Sequence, residues 1–230
     1  MPLILSIETS SKSCSAAVHQ DGVLLAVTDL LHDKSSAAML TTVIDDTLKI
    51  TGFTFQDLDA VVVAKGPGSF TGLRIAVSTA KGLCFAIDKP LLAVNTLEAM
   101  AQQMMPFFKE NTLLCPMLDA RRMEVYCAIF EAKTGQIVQA TEAKIIEEDA
   151  FQDLLAKQKM VFFGDGADKC KATLGQHANA IFIDNIYPSA RTIGFLAEKR
   201  CQEGFFEDLA TFEPYYLKEF VGTKKKEIVN

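Results

Sequence analysis

Apolar and polar positions along the chain alternate in short runs and helical periods that predict an α/β protein. Leu3 to Ile7 is a mostly apolar run of strand length. Ser13–Val18 and Val23–Asp29 follow as strands, with hairpin-turn chemistry at Gln20-Asp21-Gly22. Leu40, Val43, Ile44, Thr47 and Leu48 recur on one helical face, predicting a helix that Ser35 or Ser36 caps, that runs to about Ile50 and that Gly52 closes. Next come a strand at Ala60–Ala64, a glycine-rich loop, a helix from about Leu73 to Ile87 and a strand at Pro90–Val94. Asn95 then opens a short helix, with Glu98 at capping-box spacing and Pro106 as its stop.

A second unit from about Leu113 echoes the first. "LILSIETSSKSCSAAV" lies without gaps on "LCPMLDARRMEVYCAI" at an offset of 111, placing Glu8 on Asp119 and Val18 on Ile129. In each, an apolar strand ends in a carboxylate, a polar turn follows and a second strand returns. Gly135-Gln136-Ile137 repeats the turn of Asp21-Gly22-Val23, and strands at Met160–Phe163 and Ile181–Asp184 and a helix after Ser189 complete the order. Shared order in both halves argues for duplication. Two tandem β-β-β-α-β-α lobes, 1–106 and a reduced 107–230, resemble the actin, hexokinase and Hsp70 type of fold, the actin-like ATPase fold. There a strand-ending carboxylate of each lobe faces a nucleotide.

Composition narrows the function. The 230 residues are 49% hydrophobic, enough for a packed core. The net charge of −6 disfavours stand-alone nucleic-acid binding, and the one basic cluster is Lys224-Lys225-Lys226. Six cysteines form no C-x-x-C pair and read as reduced, buried thiols. No basic segment precedes the first apolar run, and no apolar stretch approaches the ~20 residues of a membrane span, so a soluble cytoplasmic protein is expected.

Common chemistries fit poorly. "GPGSFTGLRI", Gly66–Ile75, lacks the G-K-[ST] of a phosphate-binding P-loop, having Leu73 and Arg74 after Gly72. The dinucleotide spacing fails by one residue. A Ser69/His32/Asp set lacks the G-x-S-x-G elbow. The three histidines, His19, His32 and His177, have no metal-ligand spacing. "GDGADK", Gly164–Lys169, reads as a phosphate turn or a helix cap. Glu8 and Asp119 remain as a carboxylate pair able to hold a magnesium-bound water, or as the remnant of a nucleotide site.

The same Gly66–Ile75 stretch, with "IETS" near the N-terminus, "AVNTLEAMA" at Ala93–Ala101, "LDARRMEVY" at Leu118–Tyr126 and "EPYYLK" at Glu213–Lys218, resembles the bacterial TsaB family of tRNA threonylcarbamoyladenosine biosynthesis proteins. The match runs in order along nearly the whole chain. In the related TsaD, an H-x-x-x-H pair holds a metal; here Thr96 and Met100 occupy those positions, and neither replaces imidazole. The resemblance therefore implies a subunit with no metal, no cofactor and no catalytic residue of its own.

The helix after the loop carries only Arg74 and Lys81 as charges between Leu73 and Ile87. Ser78, Gly82 and Ala86 form a small-residue row, which permits another helix to approach. The resemblance implies that this helix and the preceding one dock on TsaD, or on a second copy when TsaD is absent. Leu40, Ile44, Leu73, Ser78, Gly82 and Ala86 are the expected interface residues. TsaD would transfer threonylcarbamoyl to N6 of the tRNA adenosine beside the anticodon, the ATPase TsaE would join the pair, and tRNA would be met only through the complex. The competing expectations are an ATP-using enzyme acting at Glu8 and Asp119, and a protease.

Overall fold

A computed structural model describes residues 2–31 and 36–218. The elements are β1 (Leu3–Glu8), β2 (Ser13–Gln20), β3 (Val23–Leu31), α1 (Ser36–Thr51), β4 (Ala60–Gly66), α2 (Phe70–Ile87), β5 (Leu91–Asn95) and α3 (Thr96–Met104). The second half adds β6 (Thr112–Asp119), β7 (Glu124–Glu131), β8 (Ile137–Ile145), α4 (Gln152–Leu155), β9 (Lys159–Phe163), α5 (Lys171–Leu174), β10 (Ala180–Ile183) and α6 (Ala190–Gln202). Ser35, His32 and Lys224–Lys226 lie outside the described residues.

The strand order is β3-β2-β1-β4-β5 in one sheet and β10-β9-β6-β7-β8 in the other, the same arrangement read from opposite ends. In each, the first strand pairs antiparallel with the second and parallel with the fourth. The offset of 111 carries Ser13–Gln20 onto Glu124–Glu131, boundary for boundary. This is the duplicated actin-like architecture, with a reduced second half: α1 and α2 have 16 and 18 residues, α4 and α5 four each.

Local chemistry explains the elements. β4 is an unbroken apolar run because helices cover both faces of its sheet, leaving Val61, Val62 and Val63 fully buried. α2 begins at Phe70, before the apolar period that starts at Leu73. Ser69 caps it, its Oγ accepting from Gly72 N at 3.3 Å, and Asp88 ends it in the left-handed region. Asn95 caps α3 through Leu97 N and Glu98 N; the Glu98 carboxylate reaches Arg200 at 2.8 Å.

Packing crosses the 106/107 division in both directions. α3 lays Leu97, Met100, Ala101 and Met104 on the second sheet, against Leu114, Phe130 and Phe163. α6 returns to the first sheet, where Ile193 and Ala197 meet Ile4, Val62 and Leu92. Each such buried Leu, Ile, Val, Phe or Met side chain contributes ~1.5–3 kcal/mol. Gly194 makes this return possible, because a Cβ there would sit 2.1 Å from the His19 ring. The chain then straps the first lobe: Glu207 bridges to Leu91, Leu209 and Phe212 join the core, and Tyr215 N donates to Lys65 O at 2.7 Å.

Candidate functional site

The glycine loop between β4 and α2 is filled by protein. It packs on the turn after β1, where Ser69 N donates to Ser10 O (2.6 Å) and Thr9 Oγ1 donates to Gly72 O (2.7 Å). A Cβ on Gly68 would lie 2.3 Å from Ser10 O, and one on Gly72 2.0 Å from Thr9 O. Glycine is required here for backbone-to-backbone contact. The second lobe also packs glycines on backbone, but on the strand β6 rather than on the turn after it: a Cβ on Gly164 would lie 2.2 Å from Met117 O, and Gly166 N donates to Met117 O at 3.0 Å. "GDGADK" is thus a packing turn on β6, with a short 3-10 turn at Asp168–Cys170 following it.

The paired carboxylates sit in opposite environments. Glu8 is fully buried; Oε1 accepts from Ser10 N and Oε2 has no partner. Burial pushes its pKa up to about 7, the charge of Asp29 adds to this, and hydrogen bonds from Ser10 oppose it. Asp119 is exposed at the end of β6, held by Lys169 and by Arg121 N at 3.0 Å. Asp165, which accepts from Asp119 N at 3.0 Å, has a raised pKa through burial, countered by Lys12 of the first turn and by Lys169. One carboxyl is thus buried with a raised pKa and the other is exposed and ion-paired, so the two strand ends are not equivalent.

Thr96 and Met100 are both buried. Thr96 Oγ1 has no partner, and Met100 packs within the second sheet's core, where its Cε would be 2.8 Å from a Cβ on Gly164. His19 lies under α6, its Nε2 donating to Arg191 O at 2.8 Å, and burial lowers its pKa. Among the described residues no three His, Cys, Asp or Glu side chains converge as metal ligands. Five of the six free thiols are buried, and burial raises the pKa of Cys14, Cys84 and Cys170 to about 11, which makes them poor nucleophiles.

α2 divides the expected interface residues. Leu40 and Ile44 are buried in the core of their own lobe, where α1 covers the sheet, and Leu73 is buried beside Gly66 of the glycine loop, so none of the three expected interface residues lies on the surface. Ser78, Gly82 and Ala86 face outward, and nothing lies within 4 Å of a Cβ built on Gly82. Beside them stands Phe85, 85% exposed, which the sequence reading missed. Its signal was its place three residues after Gly82 and seven after Ser78, on the same helical face. Arg74 continues the exposed line, its guanidinium 4.1 Å from the Phe70 ring and its Nε donating to Tyr216 OH at 3.1 Å. Lys81 is tied to the strap at Phe212 O, 3.1 Å away. By length and composition alone α2, with 18 residues and a mean hydropathy of 1.3, is the one described helix long and apolar enough to cross a membrane. Ala76, Val77, Ala80 and Cys84 bury one side of it against the sheet, while Phe85 and Ala86 on the other side are exposed.

The fold and these turns define a two-lobed actin-like protein whose first lobe presents an exposed small-residue helix face beside Phe85. A family model described as "TsaD: tRNA N6-adenosine threonylcarbamoyltransferase" matches residues 31–228. The tRNA threonylcarbamoyladenosine biosynthesis protein TsaB of Escherichia coli K12 is 29% identical over 229 residues, spanning 96% of this chain and 97% of that protein. The TsaB of Bacillus subtilis 168 is 34% identical over 163 residues, 70% and 69% of the two chains. The solved structure of YeaZ from Pseudomonas aeruginosa superposes with a TM-score of 0.77 at 25% identity, covering 94% of this chain and all of the other. The chain belongs to the TsaB proteins of the TsaD family.

Proposed function

We propose that this chain is a non-catalytic cytoplasmic subunit of the machinery that makes threonylcarbamoyladenosine in tRNA, and that it docks on TsaD through the outer face of α2. The observation that carries the reading is the open face of Ser78, Gly82, Phe85 and Ala86, with free space above Gly82. Small residues let a partner helix approach to ~8 Å, and an adjacent exposed aromatic supplies an anchor. The names of the TsaB relatives support the pathway. Burial of Thr96 and Met100 and the unequal environments of Glu8 and Asp119 support a helper role without a cofactor of its own. TsaE joins this pair, tRNA is met through the complex, and two copies of the chain pair by the same face when TsaD is absent.

Gly82→Arg tests the reading. A guanidinium in a close helix contact both clashes and buries an unpaired charge, weakening association by ~2 kcal/mol or more, about thirtyfold. Size-exclusion with TsaD should show separated proteins, while circular dichroism melting shows an intact fold. A folded variant that binds TsaD normally would overturn the assignment of this face.

A further inference from the structure

The duplicated turns differ most at two positions. Under the offset of 111, Ser10 and Ser11 correspond to Arg121 and Arg122. Ser10 is buried beneath the glycine loop, as the bond from Ser69 N shows. In the second lobe, Gly164 and Gly166 close on Met117 and Leu118 instead, so Arg121 and Arg122 stay exposed. Both arginines have left-handed backbones, φ 69° and 50°, a region that side chains other than glycine and asparagine avoid. The turn is held there by Arg121 N on Asp119 Oδ1 (3.0 Å), Ala120 N on Glu124 O (3.1 Å) and Glu124 N on Arg121 O (3.2 Å).

Two nearby carboxylates pair with other cations, Asp119 with Lys169 and Glu124 with Lys218. Among the described residues neither guanidinium has a carboxylate partner. On a chain with a net charge of −6, two adjacent unpaired arginines on a pinned tip mark a site for an external anion. The guanidinium fork matches phosphate oxygens. The tip is exposed and lines neither of the described cavities, about 630 and 590 Å³, which suits a polymer backbone better than an enclosed small molecule.

We infer that Arg121 and Arg122 hold the phosphate backbone of tRNA when this chain is docked on TsaD. The inference rests on the docking reading above. Such contacts position the RNA without reading its sequence.

The test is the complex with TsaD and an unmodified tRNA transcript, titrated across salt concentrations. Arg121→Gly with Arg122→Gly removes the charges while relieving the left-handed backbone, so folding is not at risk. At about 0.1 M salt the affinity for tRNA should fall roughly five- to tenfold, and the slope of log K against log salt should shrink by about 1.4–1.8, as for two lost phosphate contacts. Arg121→Lys with Arg122→Lys should keep the slope, and association with TsaD should not change. An unchanged slope and affinity in the glycine variant overturns the proposal alone. Loss of TsaD binding in that variant overturns it too, making the tip a contact for an acidic protein surface. Failure of the wild-type chain to bind TsaD overturns the docking reading and this proposal with it.

Discussion

The turn after β1 and the turn after β6 occupy the same place in two copies of one sheet, yet one is closed and the other open. The first buries Glu8 as an acid titrating near pH 7 and seals Ser10 beneath the glycine loop. The second exposes Asp119, pairs it with Lys169 and ends in two exposed arginines that have no carboxylate partner among the described residues. Helical cover diverges in parallel: the first lobe keeps α1 and α2, the second has only four-residue remnants in their places. A duplicated scaffold can thus keep its register while its two carboxylate turns lose equivalence. The same comparison shows where the surface is available. It lies on α2 of the first lobe and at the turn tip of the second.

Substitutions at the glycines that close each turn sharpen this contrast. The largest effect is expected at Gly72, where an added methyl meets Thr9 O; Gly72→Ala should cost ~3 kcal/mol, read by denaturant unfolding. Gly166→Ala in the second lobe, with its nearest contacts at 2.7 Å or more, should cost less, about 2 kcal/mol. Equal costs would mean that the two turns are packed alike after all.

Glu8→Gln should have an effect that changes with pH. The pKa of Glu8 in the folded chain, about 7, lies above its ordinary 4.5, so the folded state keeps a proton that the unfolded state releases. The stability tied to that proton is complete below about pH 4.5 and is lost as pH rises through about 7. The glutamine variant cannot ionise and should therefore exceed the wild type at pH 8.5, by on the order of 3 kcal/mol, and show no such gain at pH 5. Asp119→Asn, at an exposed ion pair, should change stability by about 1 kcal/mol or less. A pH-independent difference for Glu8→Gln would show that the buried acid is not the source.

The smallest effect concerns Gly82→Ala. With open space above the Cβ, the isolated chain should gain ~0.5–1 kcal/mol from helix propensity while association with TsaD weakens. A melting temperature that falls would place Gly82 in a packed environment.

Much of this fold was legible because strands and duplication are written locally. The 111-residue offset located both hairpins, and the small row of α2 pointed outward as its composition implied. Long-range packing was not legible. Nothing local in Ile193 or Ala197 says that α6 returns to the first sheet, nor in Leu209 and Phe212 that the strap reinforces its core. Leu40, Ile44 and Leu73 were misplaced because an apolar position looks the same whether it faces its own sheet or a partner. Phe85 was overlooked among the helix's other apolar residues, and only its exposure separates it from Leu73. The unequal state of Glu8 and Asp119 depends on what covers each turn, which a strand-ending carboxylate does not reveal.

Reconstituted tRNA modification, with TsaD, TsaE and the enzyme activity that supplies threonylcarbamoyl-adenylate, tests the central claim most directly. The chain should be required, Gly82→Arg should abolish its contribution, and Glu8→Gln with Asp119→Asn should retain most of it. Loss of modification in the folded, TsaD-bound carboxylate variant, or full modification with Gly82→Arg, would contradict a non-catalytic subunit acting through the outer face of α2.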